Sequence, residues 1–157
     1  MKRNLKKLIT SLFLATLTLM FCVASETGAF SFVEGCKALS KGDWENSVFM
    51  LKKAVAYKEY ETPDAYYMLI TAEVELNDNK TALDDCEFFL KQFPDSIYKS
   101  RVTYLKGKIL FNLKEYEKAI VVLSDFCHQN EDDDMYSYAL FYIAESLYEN
   151  YQYDEAQ

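Results

Sequence analysis

Histidine is almost missing from this chain: His128 is the only one among 157 residues. With one imidazole, neither a transition-metal site nor a His-based catalytic triad is expected. Glycine and proline are scarce, at 4 and 2. A β-sandwich with many tight turns wants more of both, and collagen-like or linker-like chains want far more. The sequence holds no phosphate-cradling glycine loop, no nucleophile elbow and no spaced set of metal ligands. The reading is a protein that is not an enzyme, with no catalytic residue, no metal and no cofactor. Beyond the N-terminal segment there are three cysteines, Cys36, Cys86 and Cys127, spaced by 50 and 41 residues. An odd number cannot pair completely and the spacings fit no zinc pattern, so buried, inert thiols are expected.

Basic charge is the other shortage. The formal charge is −8, and Lys2, Arg3, Lys6 and Lys7 all fall in the first seven residues, with no acid before Glu26. Setting those four aside leaves 13 basic against 25 acidic side chains, a net of −12. Such a body repels phosphate backbones, so nucleic acid is not an expected partner. What the chain does have is apolar mass. Half of its residues are hydrophobic and 16% are aromatic, enough for one ordinary folded domain.

The first segment reads as a targeting signal. Basic residues at 2–7 precede a 17-residue stretch, Leu8 to Ala24, without a single charge. Three fates stay open for residues 1–24. One is a secretory signal cleaved after Ala24, Ser25 or Ala29. A second is a retained membrane anchor, short for a bilayer and carrying hydroxyls at Thr10, Ser11, Thr16 and Thr18. The third is lipidation at Cys22, although Phe21 stands where a small residue is usual before an acylated cysteine. Contact with a membrane is expected only through this segment, and the mature protein is expected to be exported, periplasmic or envelope-associated.

The body repeats. Four segments align by a small residue: Gly42-Asp43-Trp44-Glu45-Asn46-Ser47, Asn77-Asp78-Asn79-Lys80-Thr81-Ala82, Lys114-Glu115-Tyr116-Glu117-Lys118-Ala119 and Tyr151-Gln152-Tyr153-Asp154-Glu155-Ala156. Ser47, Ala82, Ala119 and Ala156 are 35, 37 and 37 residues apart. Seven residues before each segment stand Gly35, Ile70, Gly107 and Ala144, and four after the small residue stand Leu51, Cys86 and Leu123. Small residues at such positions let two helix axes cross closely, while apolar residues three and four apart fill the remainder. Thr62-Pro63-Asp64 and Pro94-Asp95-Ser96 read as stop-then-start signals. The predicted helices are 29–41, 44–58, 64–77, 80–93, 97–112, 115–129 and 134–150, with an eighth begun at 153 and no strand. The acidic run Glu131-Asp132-Asp133-Asp134 is expected to cap a helix start, since a calcium loop's alternation, glycine and distal glutamate are missing.

This pattern resembles the tetratricopeptide repeat, a helix–turn–helix unit of about 34 residues. The resemblance covers residues 28–157, as units 28–61, 63–96, 100–133 and an incomplete 137–157. It implies an all-α fold of antiparallel helix pairs stacked into a right-handed solenoid, with the first helix of each unit lining the hollow face. One row on that face then takes Phe32, Tyr67, Tyr104 and Phe141, and another takes Leu39, Val74, Phe111 and Tyr148. Cys36, Thr71, Lys108 and Glu145 lie between them, with Asp64, Arg101 and Tyr138 at the edge. Two uses of the rings stay open, contact with a partner or packing between units. Tyr67 and Tyr104 are favoured for the partner because a hydroxyl suits a wet groove. The carboxylate clamp of cytosolic chaperone-binding members is not expected. Phe32, Tyr67 and Tyr104 replace its lysines, and Cys36 and Thr71 replace its asparagines.

Phe93-Pro94-Asp95-Ser96, Lys106-Gly107-Lys108 and Tyr116-Glu117-Lys118-Ala119 are further similar to repeats of Gram-negative envelope proteins, the outer-membrane assembly lipoprotein and the Tol–Pal-associated periplasmic protein. That similarity implies a non-catalytic adaptor for other proteins or peptide segments in the envelope. The helix over 134–150 is expected to lack its usual cover on Leu140, Ile143 and Leu147, so a longer natural protein or a partner over that end is expected. Two alternatives stand beside it: a structural solenoid that self-associates through the incomplete last unit, and the regulatory N-terminal part of a longer protein with an enzymatic C-terminal region.

Overall fold

A computed structural model describes residues 27–155. The proposed targeting segment, Cys22 and Ala156 lie outside the described residues. Among those described there is no strand, only helices and short connections. Seven α-helices follow one another: α1 over 27–40, α2 Trp44–Val55, α3 Pro63–Glu75, α4 Asn79–Gln92, α5 Lys99–Asn112, α6 Tyr116–Gln129 and α7 Tyr136–Glu155. A 3-10 turn, Lys58–Tyr60, joins α2 to α3. From α2 onward each helix packs on the next, and α3 with α5 and α5 with α7 also touch directly. The predicted all-α solenoid is what forms.

Local chemistry explains where helices begin. The Asp43 carboxylate accepts from the Asn46 N–H ahead of α2, and the Asp78 carboxylate does the same for Thr81 ahead of α4. The Thr62 hydroxyl accepts from the Ala65 N–H, with Pro63 as the first helical residue of α3. At the acidic run, only Asp133 does local work, its Oδ1 accepting the Met135 N–H at 2.8 Å. Helix α7 starts two residues later than the run suggests, at Tyr136.

The turns inside each helix pair share one device. Gly42, Asn77 and Lys114 have φ of 72°, 62° and 62°. After each of them a backbone N–H reaches back across the helix end: Asp43 to Ala38 at 3.0 Å, Asp78 to Glu73 at 2.9 Å and Glu115 to Leu110 at 2.9 Å. This is the Schellman cap, and it needs a left-handed residue at its pivot. Glycine takes that conformation freely and asparagine tolerates it, whereas lysine is strained there. Lys114→Gly is therefore expected to raise stability by about 0.5–1 kcal/mol, measured by urea unfolding. Unchanged or lower stability would contradict the strain.

The fourth segment does not turn. Tyr151 occupies the pivot position, and α7 runs through it to Glu155, so the eighth helix expected from 153 is not formed among the described residues. A bulky aromatic is costly in the left-handed region, and continuing the helix avoids that cost.

Size complementarity sets the pairing inside each unit. A Cβ at Gly35 would lie 2.7 Å from Leu51 Cγ, and one at Gly107 would press on the Leu123 side chain. In the second unit the sizes are exchanged: fully buried Ile70 shares its cluster with fully buried Cys86. Gly/Leu, Ile/Cys and Gly/Leu are two solutions, used across three units, to one volume constraint. Ala144, at the same phase in α7, is exposed, because no helix covers it among the described residues. Leu140 and Leu147 are exposed with it. Ile143 departs from the expectation: it packs half-buried against the cluster around Leu123 and Phe126. Cys86 and Cys127 are buried, Cys36 is half-buried with its thiol 3.4 Å from the Met68 sulfur, and all three are free. Burial pushes the thiols of all three up, which suits the inert role.

Candidate functional site

The odd-numbered helices present one face, and its rings divide into two kinds. Those in the first three units are occupied by neighbours. Phe32 meets Tyr60 of the 3-10 turn at 5.7 Å. Tyr67 stacks on Tyr98, the residue before α5, at 4.4 Å and 7° between planes. The Tyr98 hydroxyl donates to Asp64 Oδ1 at 2.9 Å, which engages Asp64 as well. Tyr104 is 8% exposed and packs on Phe126 and Tyr142 at 5.9 and 6.4 Å. Burial pushes its hydroxyl up to about 12. Phe111 is half-buried between Tyr116 and Tyr142, at 5.7 and 5.3 Å. Val74 is buried and Leu39 half-buried. The Thr71 hydroxyl donates to the Tyr67 carbonyl at 2.8 Å, within its own helix.

Ring packing is thus found at all four: Phe32 on Tyr60 of its own unit, Tyr67 on Tyr98, and Tyr104 and Phe111 on Tyr142 of the next unit. Of the two rings favoured for a partner, Tyr104 is 8% exposed and Tyr67 is half-buried. A hydroxyl does suit a wet groove, and Tyr98 and Tyr142 lie against these two rings as well. Those two, with Tyr60, were missed. The signal that could have found two of them is position: Tyr60 stands three residues before α3 and Tyr98 directly before α5, where a ring can fold back over the helix pair that precedes it.

The rings of α7 are of the second kind. Tyr138, Phe141 and Tyr148 are 58%, 57% and 59% exposed. At about 100° per residue they occupy one sector of the helix, with half-buried Glu145 between them. Helix α5, which touches α7, carries Arg101 and Lys108 at the neighbouring positions of the same face, Arg101 exposed and Lys108 half-buried. No carboxylate lies within ion-pair distance of either cation among the described residues. What results is an aromatic ridge beside two cations without an ion-pair partner among the described residues. Such a surface can hold side chains of a partner segment by ring contact and charge.

Other parts of the molecule offer less. A cleft lined by Leu83, Glu87, Lys106, Leu110, Val121 and Val122 has its cations already used, Lys106 on Glu87 at 3.0 Å and Lys118 on Glu115 at 2.6 Å. Among the described residues there is no group of His, Cys, Asp and Glu able to hold a metal, and no helix is long and apolar enough to cross a membrane.

One buried charge was not anticipated. Glu73 is fully buried, at a phase where the other units have Ala38, Leu110 and Leu147. Lys52 Nζ comes within 2.9 Å of its Oε1, yet neither oxygen receives a well-aligned hydrogen bond. Burial pushes Glu73 up to about 8, and the neighbouring Asp85 carboxyl adds to this while Lys52 opposes it.

No family model matches this chain, and no curated protein matches it either. Solved structures do. The TPR2B domain of yeast Sti1, in its pHsp70 complex, superposes with a TM-score of 0.63 at 18% identity, over 77% of this chain and 96% of that one. MamA from Desulfovibrio magneticus, residue 41 to its end, gives 0.68 at 21% identity over 80% and 67%. The TPR domain of Arabidopsis OM64 gives 0.64 at 14% over 78% and 98%. At these identities the likeness is one of architecture, and the fold of this chain is the tetratricopeptide-repeat fold.

Proposed function

We propose that this protein is a non-catalytic scaffold that holds a segment of another protein against the aromatic ridge of α7 and the cations of α5. The observation that carries the reading is the exposure of Tyr138, Phe141 and Tyr148 on one sector, while the equivalent rings of earlier units are covered. Large rings on a rigid helix anchor partner side chains at low entropic cost. The yeast Sti1 domain, a complex with pHsp70, supports this use of the fold. Arg101 and Lys108 favour a segment with carboxylates beside its apolar anchors. We place the protein in the cell envelope of a bacterium, exported by its N-terminal segment; the basic start, the uncharged run from Leu8 to Ala24 and the envelope-type repeat similarity support that setting.

Photo-crosslinking in cells tests the contact. A benzoyl-phenylalanine at position 141 or 148 is expected to yield discrete adducts, and one at Val121 on α6, 61% exposed, is expected to yield none of the same mass. Identical adducts from all three positions, or adducts from 121 alone, would refute the assignment. The intact mass of the protein from the same cells tests export: loss of residues 1–24, 1–25 or 1–29, or an acylated Cys22, supports it, and so does the full mass recovered from the membrane fraction. The full mass in the cytosolic fraction contradicts it.

A further inference from the structure

A second sector of α7 is exposed as well, and it has a different character. Leu140 and Leu147 are 46% and 54% exposed, Ala144 between them is exposed, and Ser137 and Tyr151 extend the line. The spacing of 137, 140, 144, 147 and 151 alternates three and four, the pattern of a helix-pairing seam. None of the five is charged. In the other units the matching strip is covered by the second helix of the pair, and Gly35 and Gly107 show how closely that helix approaches.

We propose that this seam pairs with the same seam of a second copy, antiparallel, across a two-fold axis at Ala144. An interface of this kind must be self-complementary, because the same patch serves on both sides. Centred on Ala144, the seam meets the requirement. The smallest apolar residue sits at the crossing, Leu140 and Leu147 alternate with the rims of Tyr148 and Phe141 of the other copy, and Ser137 faces Tyr151. Charge would normally oppose self-association of a chain at −8, yet the seam brings no ionised side chain onto the axis. The exposed side chains of the seam and its rims cover on the order of 500 Å² per copy, about 1,000 Å² for a pair, which is the lower edge of specific interfaces. The dimer is therefore concentration-dependent, and it strengthens with salt as the like charges of the two bodies are screened.

The pairing shares the rims of Phe141 and Tyr148 with the proposed partner ridge, but its crossing is set by Leu140, Ala144 and Leu147, so the test reads that crossing and not the ridge. The test uses the full chain with Cys22→Ser and Cys36→Ser, carrying either Ala144→Cys or Leu140→Cys. At a two-fold crossing the cysteines of two Ala144→Cys copies face each other. Those of two Leu140→Cys copies lie about 12 Å apart along the axes, beyond disulfide reach. Under mild oxidation by air with copper phenanthroline, Ala144→Cys is expected to give at least fivefold more linked dimer than Leu140→Cys. Light scattering is expected to show the apparent mass rising toward twice 18.3 kDa with concentration, and Leu147→Lys to hold it at one copy. Equal linkage from both cysteines, which a parallel or random pairing gives, overturns the proposal. So does linkage from neither, which is the result if another segment or another protein covers the seam. Both positions are exposed, so the substitutions do not put folding at risk; circular dichroism checks this.

Discussion

Gly107→Ile is expected to cost about 3 kcal/mol or more, because the added atoms enter space held by Leu123 in a close-packed crossing. Restored helix propensity offsets less than about 1 kcal/mol of that. Leu123→Cys alone is expected to cost about 2–3 kcal/mol through the cavity it opens. Together the two changes write into the third unit the pair that the second unit already has, Ile70 with Cys86, both fully buried. The double variant is therefore expected to recover at least about 2 kcal/mol relative to the sum of the singles, a coupling measurable by urea unfolding of all four proteins. Additive losses would mean that the small residue is not there to admit its partner, and the reading of the repeat would lose its physical basis.

Glu73→Leu is expected to stabilise, and to do so increasingly as pH rises. Leucine is what the third and fourth units carry at this phase, as Leu110 and Leu147. The sign comes from the raised carboxyl. With Glu73 near 4.5 when unfolded and about 8 when folded, the native state keeps a proton that the unfolded state has lost. Stability from this group is fully present below about 4.5 and declines as pH climbs to about 8. Removing the carboxyl removes the decline. At pH 9 the variant is expected to gain on the order of 2–4 kcal/mol over the native chain, shrinking toward pH 4.5. Lys52 is 42% exposed and can turn to water when its partner is gone. Thermal unfolding across pH 4–9 reads the difference. A gap that stays flat, or that widens toward acid, would show that Glu73 is ionised and well solvated.

Much of the fold could be read from residue order, for identifiable reasons. A small residue recurring at 35, 37 and 37 marks where helix axes meet, and a Cβ at Gly35 or Gly107 would strike Leu51 or Leu123. Thr62-Pro63 announces a helix start because the hydroxyl caps a free N–H and the ring suits the first helical turn. What could not be read lies where one unit departs from the pattern. Tyr151 matches Gly42, Asn77 and Lys114 in register, but its backbone stays helical, so alignment placed a turn where conformation refuses one. Glu73 has the spacing of a core residue and the chemistry of a surface one, and only packing decides between them.

The rows of rings were legible in the residue order; their coverage was not. Rows of rings at repeat spacing were visible, yet spacing cannot say which rings a neighbour covers. Tyr67 is covered by Tyr98 and Tyr104 by Tyr142, whereas Phe141 and Tyr148 have no later unit beyond them among the described residues. The difference between a packed ring and an available one is therefore set by whether another unit stacks on it along the solenoid. For the same reason the two exposed sectors of α7 separate into an aromatic ridge and an aliphatic seam.

That separation gives the most direct test of the scaffold reading. A segment of the protein crosslinked at position 141 would be titrated calorimetrically against three full-length proteins: the native chain, Phe141→Ser/Tyr148→Ser and Leu140→Ser/Leu147→Ser. Loss of two aromatic anchors is expected to weaken binding by about tenfold to a hundredfold, with the seam variant within about twofold of native. Equal binding by the native chain and the ridge variant, or a loss confined to the seam variant, would contradict the assignment of the aromatic ridge as the surface that holds a partner.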